Sequence, residues 1–190
     1  MPTMTPSSSP TTAAADTLAA WQARADELAR VPRELGIARV EDVLPLSGLE
    51  LFEAMIAGRL PGAPIAGTLD FMLVEASRGR AVFQGRPQLG HYNPLGTVHG
   101  GWIATLLDSA VGCAVHTTLP AGKAYTTLEL KVNFVKAVSA RQTLVRAEGE
   151  VISAGARVAT ARGQLVGPDG TLYAHATTTC LIFDARPGGG

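Results

Sequence analysis

Aromatic residues make up only 5% of this 190-residue chain, and it has two cysteines. Cys113 and Cys180 are far apart and fit neither a disulfide framework nor a zinc site, which points to a reducing compartment. Net charge is also missing, because sixteen basic residues balance sixteen acidic ones. No bulk field therefore draws nucleic acid, an anionic membrane or a polyanionic substrate. No uncharged apolar run reaches the roughly 18 residues of a membrane span, and the first fifteen residues lack the basic start and apolar centre of a signal peptide. A soluble, cytoplasmic protein with no nucleic-acid or membrane partner is expected. His91, His99, His116 and His175 lack metal-ligand spacing, so no metal site is expected. A G-x-S-x-G elbow, a P-loop ending and a G-x-G-x-x-G turn after a strand are all absent.

What remains suits one domain, since an apolar fraction of 46% can build a substantial core. Residues 1–15, a Ser/Thr/Pro tract, read as a disordered tail. Residues 16–60 read as a helical extension. Asp16 caps a first helix carrying Leu18, Trp21, Ala25 and Leu28, and Ser47 precedes a second carrying Leu49, Leu51, Phe52, Met55 and Ile56 as a cap or lid. This extension holds eight acidic and five basic residues, the wrong balance for a DNA-binding helix pair. Residues 61–184 form the main domain and 185–190 a flexible tail. After Pro64 the period becomes two, with Leu69, Phe71 and Leu73 opening a hairpin through Ser77 to Gly79. Beyond Gly122, Leu128, Leu130, Val132 and Phe134 share a core face, while Thr127, Glu129, Lys131 and Asn133 share the other. Three more strands follow near 141–153, 156–167 and 171–182, too close together for crossover helices and so antiparallel.

Between hairpin and strands lies the organising stretch, His91 to Thr118. A loop with Asn93, Pro94 and Gly96 runs into His99-Gly100-Gly101 and a long apolar helix. With apolar residues on nearly every side, this helix is expected to be buried all round. Its single charge, Asp108, is costly to bury without a partner or a function. Gly100 and Gly101 open the helix, where unpartnered N–H groups suit a carbonyl oxygen gaining charge, an effect worth roughly 3 kcal/mol to an acyl transfer. From the glycine pair alone, close packing of loop and helix is the better explanation. Asn93 offers a side-chain donor or an Asx turn, and His99 a base or a structural hydrogen bond. Gly100 and Asp108 lie about 12 Å apart along the helix axis and roughly 80° around it, too far to meet on one carbonyl. Two such helices packed antiparallel about a two-fold axis would bring them together, which predicts a dimer with shared sites.

The ordered set Asn93-Pro94-x-Gly96-x-x-His99-Gly100-Gly101, Asp108, Gly112 and T-T-L-E-L-K-V-N-F from Thr126 resembles the hotdog-fold acyl-CoA thioesterases of the phenylacetate-degradation (PaaI-like) type, over roughly residues 48–183. The resemblance implies an α+β hotdog fold, an antiparallel β-sheet wrapped around a long central α-helix, here with an N-terminal helical extension. It implies hydrolysis of an acyl-CoA with an aryl, arylacetyl or medium-chain acyl group, in homodimers that pair into homotetramers. Coenzyme A enters as part of the substrate and no other cofactor is implied. Asp108 would be the general base or nucleophile, the Gly100 N–H would polarise the carbonyl with Asn93 beside it, and Thr127, or its neighbour Thr126, would position water. Gly155, Arg157 and Lys136 would hold the nucleotide end. The family's usual Arg-Pro-like ending is here Lys136-Ala137, which keeps a charge but loses a bidentate fork. Two other classes share this fold: a non-catalytic acyl-CoA binding or sensing protein, and a hydratase or dehydratase.

Overall fold

The computed structural model describes residues 12–185. Helix α1 (Thr12–Ala29), a short α2 (Val40–Val43), α3 (Gly48–Ile56) and a short α4 (Pro64–Thr68) precede strands β1 (Phe71–Ser77) and β2 (Arg80–Gly85). Helix α5 (Gly100–His116) is followed by β3 (Lys123–Phe134), β4 (Val145–Ala154), β5 (Val158–Val166) and β6 (Leu172–Asp184). Residues 12–15, expected in a disordered tail, are helical, because the alanines 13–15 favour helix and carry α1 back to Thr12; Asp16 lies inside the helix and does not cap it. The rest of that tail, residues 1–11, and the tail from 186 lie outside the described residues. Pro64 pre-sets a helical turn rather than a strand, so β1 begins only at Phe71.

Six strands form one antiparallel sheet in the order β1-β2-β4-β5-β6-β3. Helix α5 packs against all six. Its Leu106, Leu107, Val111 and Val115 are fully buried, each contributing roughly 1.5–3 kcal/mol. The approach to the sheet is close because Gly149 and Gly163 face each other across β4 and β5. A methyl group at Gly149 would lie 2.2 Å from the Ala110 carbonyl oxygen, and one at Gly163 2.6 Å from Val111 Cγ1.

Helix α1 lies on the opposite face of the sheet. Ala81 and Phe83 of β2 join the cluster around α5, whereas Val82 packs with Leu28 of α1 and Val74 of β1. The Arg146 guanidinium sits 4.7 Å from the Trp21 ring centroid, donates to Gln84 at 2.9 Å and pairs with Glu75 at 2.7 Å. Burial pulls its pKa down from the usual arginine value, and Glu75 opposes that shift. Ser47 caps α3 in a reciprocal box with Glu50, and Phe52 is inserted into the main core, edge-on to the His116 ring.

Candidate active site

Helix α5 is not buried all round. Gly101, Ala104, Thr105, Asp108, Ser109, Cys113 and His116 form a partly open stripe along it. The sheet curls over one side only, and the uncovered residues are small or polar, so exposing them costs little. Asp108 stands in the middle of this stripe and is half-buried.

Strand β3 supplies its partner through an irregularity. Thr127 pairs with Cys180 and Glu129 with Thr179, so Leu128 is an extra residue in the ladder. One extra residue reverses which face later side chains take. Upstream of the bulge Tyr125 and Thr127 face the helix, and downstream Leu130 and Val132 do. Simple alternation assigns Thr127 to the opposite face and Leu128 to the core. The bulge corrects both assignments: Leu128 is 57% exposed, and Thr127 Oγ1 donates to Asp108 Oδ1 at 3.3 Å. Thr126 is exposed, which leaves Thr127 as the threonine of the site. Phe134, also expected in the core, is 57% exposed at the far end of this edge strand.

Three residues missed by the sequence reading surround the carboxylate. Tyr125 stands against the helix at Gly112, where an added methyl group would lie 2.6 Å from the Tyr125 hydroxyl. Desolvation, helped by the charge of Asp108, pushes the Cys113 thiol up to about 12. Burial raises the Cys180 thiol and carries the Tyr125 phenol well above its ordinary value. These groups stay protonated at neutral pH, so neither thiol supplies a thiolate nucleophile. No spacing rule signals Tyr125 or Cys180, because their approach depends on the bulge.

At the head of the helix, His99 is the N-cap. Its Nδ1 accepts from the Gly101 N–H at 2.8 Å, and its carbonyl accepts from Trp102 at 3.0 Å. An accepting Nδ1 places the ring proton on Nε2. The cap satisfies the N–H groups of Gly101 and Trp102, while that of Gly100 has no acceptor among the described residues. Gly100 borders a groove of about 360 Å³ with Thr97, Ile103, Phe134, Lys136 and Val138. Asn93 closes its own loop: Oδ1 accepts from Leu95 at 2.9 Å and Thr97 at 3.3 Å, and Nδ2 donates to Thr97 Oγ1 at 2.9 Å. Gly96, at φ +85°, takes the left-handed position in that turn.

The expected nucleotide contacts do not come together within one chain. Gly155 makes the β4–β5 turn, donating to Val158 at 2.9 Å, and Arg157 borders a cavity with Lys123, Phe183 and Asp184. Lys136 lies beyond the other end of β3, a strand on the order of 40 Å long. Among the described residues no cluster of three or more His, Cys, Asp or Glu could hold a metal ion, and no helix is long and apolar enough to cross a membrane.

Residues 95–174, from the Asn93 loop through β3 to β6, match the thioesterase superfamily. A phenylacetic acid degradation-related protein from Ralstonia eutropha JMP134 is 30% identical, with a TM-score of 0.63 over 68% of this chain and 98% of its own. This chain belongs to the thioesterase superfamily. A mutant of phenylacetic acid degradation protein PaaI from Thermus thermophilus is 28% identical, with a TM-score of 0.57 over 62% of this chain and 97% of that one. A Halobacterium salinarum protein named as an esterase is 38% identical over 88 residues, which are 45% of this chain. The chain spans 56% of that relative's length. The sheet and its central helix are the hotdog fold of this thioesterase superfamily.

Proposed function

We propose that this protein hydrolyses an acyl-CoA, giving the free acid and coenzyme A. Membership of the superfamily supports a hydrolase acting on a thioester. The observation that carries the reading is the Asp108–Thr127 pair on the open stripe of α5, on the same helix as the unpartnered N–H of Gly100. Asp108 acts on the thioester carbon, either as a base taking a proton from water or as the nucleophile itself. As the new C–O bond forms, the carbonyl oxygen gains charge against the Gly100 N–H; the C–S bond then breaks and the thiolate takes a proton to leave as coenzyme A. The acid is released directly where water attacked and by hydrolysis of the acyl anhydride where Asp108 attacked. Thr127 positions the carboxylate and water, and His99 holds the two glycines in place. Asn93 supports the carbonyl through the amide hydrogen its loop does not use.

Gly100 and Asp108 lie about 12 Å apart along the axis, so the reading requires a homodimer in which each site combines Gly100 of one copy with Asp108 of another. The open stripe and the edge position of β3, with Leu128 exposed, support this. Antiparallel pairing of two β3 edges would also carry Lys136 of one copy toward Gly155 and Arg157 of the other, where they would hold the nucleotide. Such dimers pair into tetramers. The phenylacetic acid degradation proteins among its relatives favour an arylacetyl group, with aryl and medium-chain groups as the other candidates.

The test is thiol release from phenylacetyl-, hydroxybenzoyl- and medium-chain acyl-CoA by the wild type and by Asp108→Ala. Release by the wild type and a loss of roughly a thousandfold in the variant are expected. Binding of acyl-CoA by both proteins without thiol release would overturn hydrolysis and assign a binding protein. Hydration of crotonyl-CoA without thiol release would assign a hydratase.

A further inference from the structure

The β3–β6 ladder shifts register between Thr127 and Glu129, and a buried side chain bonds to the backbone at that point. Thr178 of β6 is 2% exposed and faces α5 between Ala176 and Cys180. Its hydroxyl donates to the Glu129 carbonyl at 2.7 Å, immediately after the extra residue Leu128, and lies 3.9 Å from Cys180 Sγ. A regular antiparallel ladder needs no side-chain hydroxyl here, since neighbouring N–H groups satisfy its carbonyls. The bulge is nevertheless required, because Thr127 must face Asp108 while Leu130 and Val132 face the core. Those positions differ by odd numbers, which an unbroken strand cannot turn to one side.

We propose that Thr178 is a positioning residue for catalysis, holding the β3 bulge in the register that turns Thr127 onto Asp108. It touches neither the carboxylate nor the proposed water and acts through Thr127. This inference rests on the reading of Asp108 and Thr127 as the working pair. Valine matches threonine in shape but lacks the hydroxyl, so it removes the support without opening a cavity. Serine keeps the hydroxyl and loses only a methyl group.

The experiment compares wild type, Thr178→Val, Thr178→Ser, Thr127→Ala and the Thr127→Ala/Thr178→Val double variant. Thiol release is followed as kcat and KM, and amide hydrogen exchange is read across β3. Thr178→Val is expected to lower kcat by roughly tenfold to a hundredfold, the usual cost of a misplaced catalytic group, with KM little changed. Exchange should quicken at Leu128 to Leu130, Thr178→Ser should restore kcat, and the double variant should be no slower than Thr127→Ala alone. If valine prevents folding, Thr178→Cys, a weaker donor of serine-like shape, takes its place in the series. Wild-type kcat in a folded Thr178→Val, while Thr127→Ala and Asp108→Ala are slow, would overturn the role of Thr178 and leave the hydrolase reading intact. Full activity in Asp108→Ala and Thr127→Ala would remove the working pair itself, even if exchange still reported a loosened bulge.

Discussion

Strands β2 and β3 belong to one antiparallel sheet, yet five of the six residues of β2 are buried and none of the twelve in β3. β2 is covered on both faces, by α5 on one and α1 on the other. β3 is an edge strand that offers Leu128 and Phe134 to the outside. The covered half of the molecule holds the fold together, and the uncovered half carries the proposed site: Thr127, the bulge and the open stripe of α5. Burial that would stabilise β3 within one chain would also close the route to Asp108.

The contrast is broken most severely by placing charge on the open edge. Leu128→Glu is expected to leave the chain folded, to shift sedimentation toward a single copy and to lower thiol release by roughly a hundredfold or more, because the proposed site needs two copies. A fully active single copy would sink the shared site. The covered half should respond in stability. Trp21→Ala removes the ring under Arg146 and should cost about 3 kcal/mol in urea unfolding, with kcat preserved; an unchanged midpoint would mean that α1 contributes little. The boundary between the halves is Gly112, where an added methyl would meet the Tyr125 hydroxyl at 2.6 Å. Gly112→Ala should cost about 2 kcal/mol from overpacking, and Tyr125→Phe should recover part of that loss. No recovery in the double variant would show that the strain lies elsewhere.

The smallest effect concerns His116, between the rings of Phe52 and Tyr125. Burial lowers its folded pKa below the ordinary 6.5. The unfolded chain therefore binds this proton first. Stability should fall as pH drops from about 6.5 toward the folded pKa and level off below it. His116→Phe should remove that component from a pH series of unfolding midpoints; an unchanged slope would assign it to other groups.

The division between covered and open halves also marks what the sequence reveals. The helix that follows Ser47 and the apolar run of α5 were legible because each depends on local chemistry. Asp108 stood out for the same reason, as the one charge in an apolar helix. Thr127 was recognised by resemblance but assigned to the wrong face, since period-two reasoning assumes an unbroken ladder and nothing near Leu128 signals an extra residue. The open stripe of α5 escaped notice because alanine, glycine and cysteine read as apolar whether or not anything covers them. The roles of Trp21 and Arg146 were equally hidden, as they are far apart in sequence and meet only once the sheet has formed.

That last contact also bears on how the chain is made. Trp21 precedes Arg146 by 125 residues, a distance the ribosome covers in roughly 6–25 s. Throughout that interval α1, β1 and β2 have been synthesised but the arginine that covers Trp21 has not, because β4 contributes it. Newly made α1 must wait with the Trp21 ring uncovered by its arginine. The helix made before every strand can therefore lay Leu28 on the first hairpin early, yet the seat of Trp21 is complete only once β4 has been made.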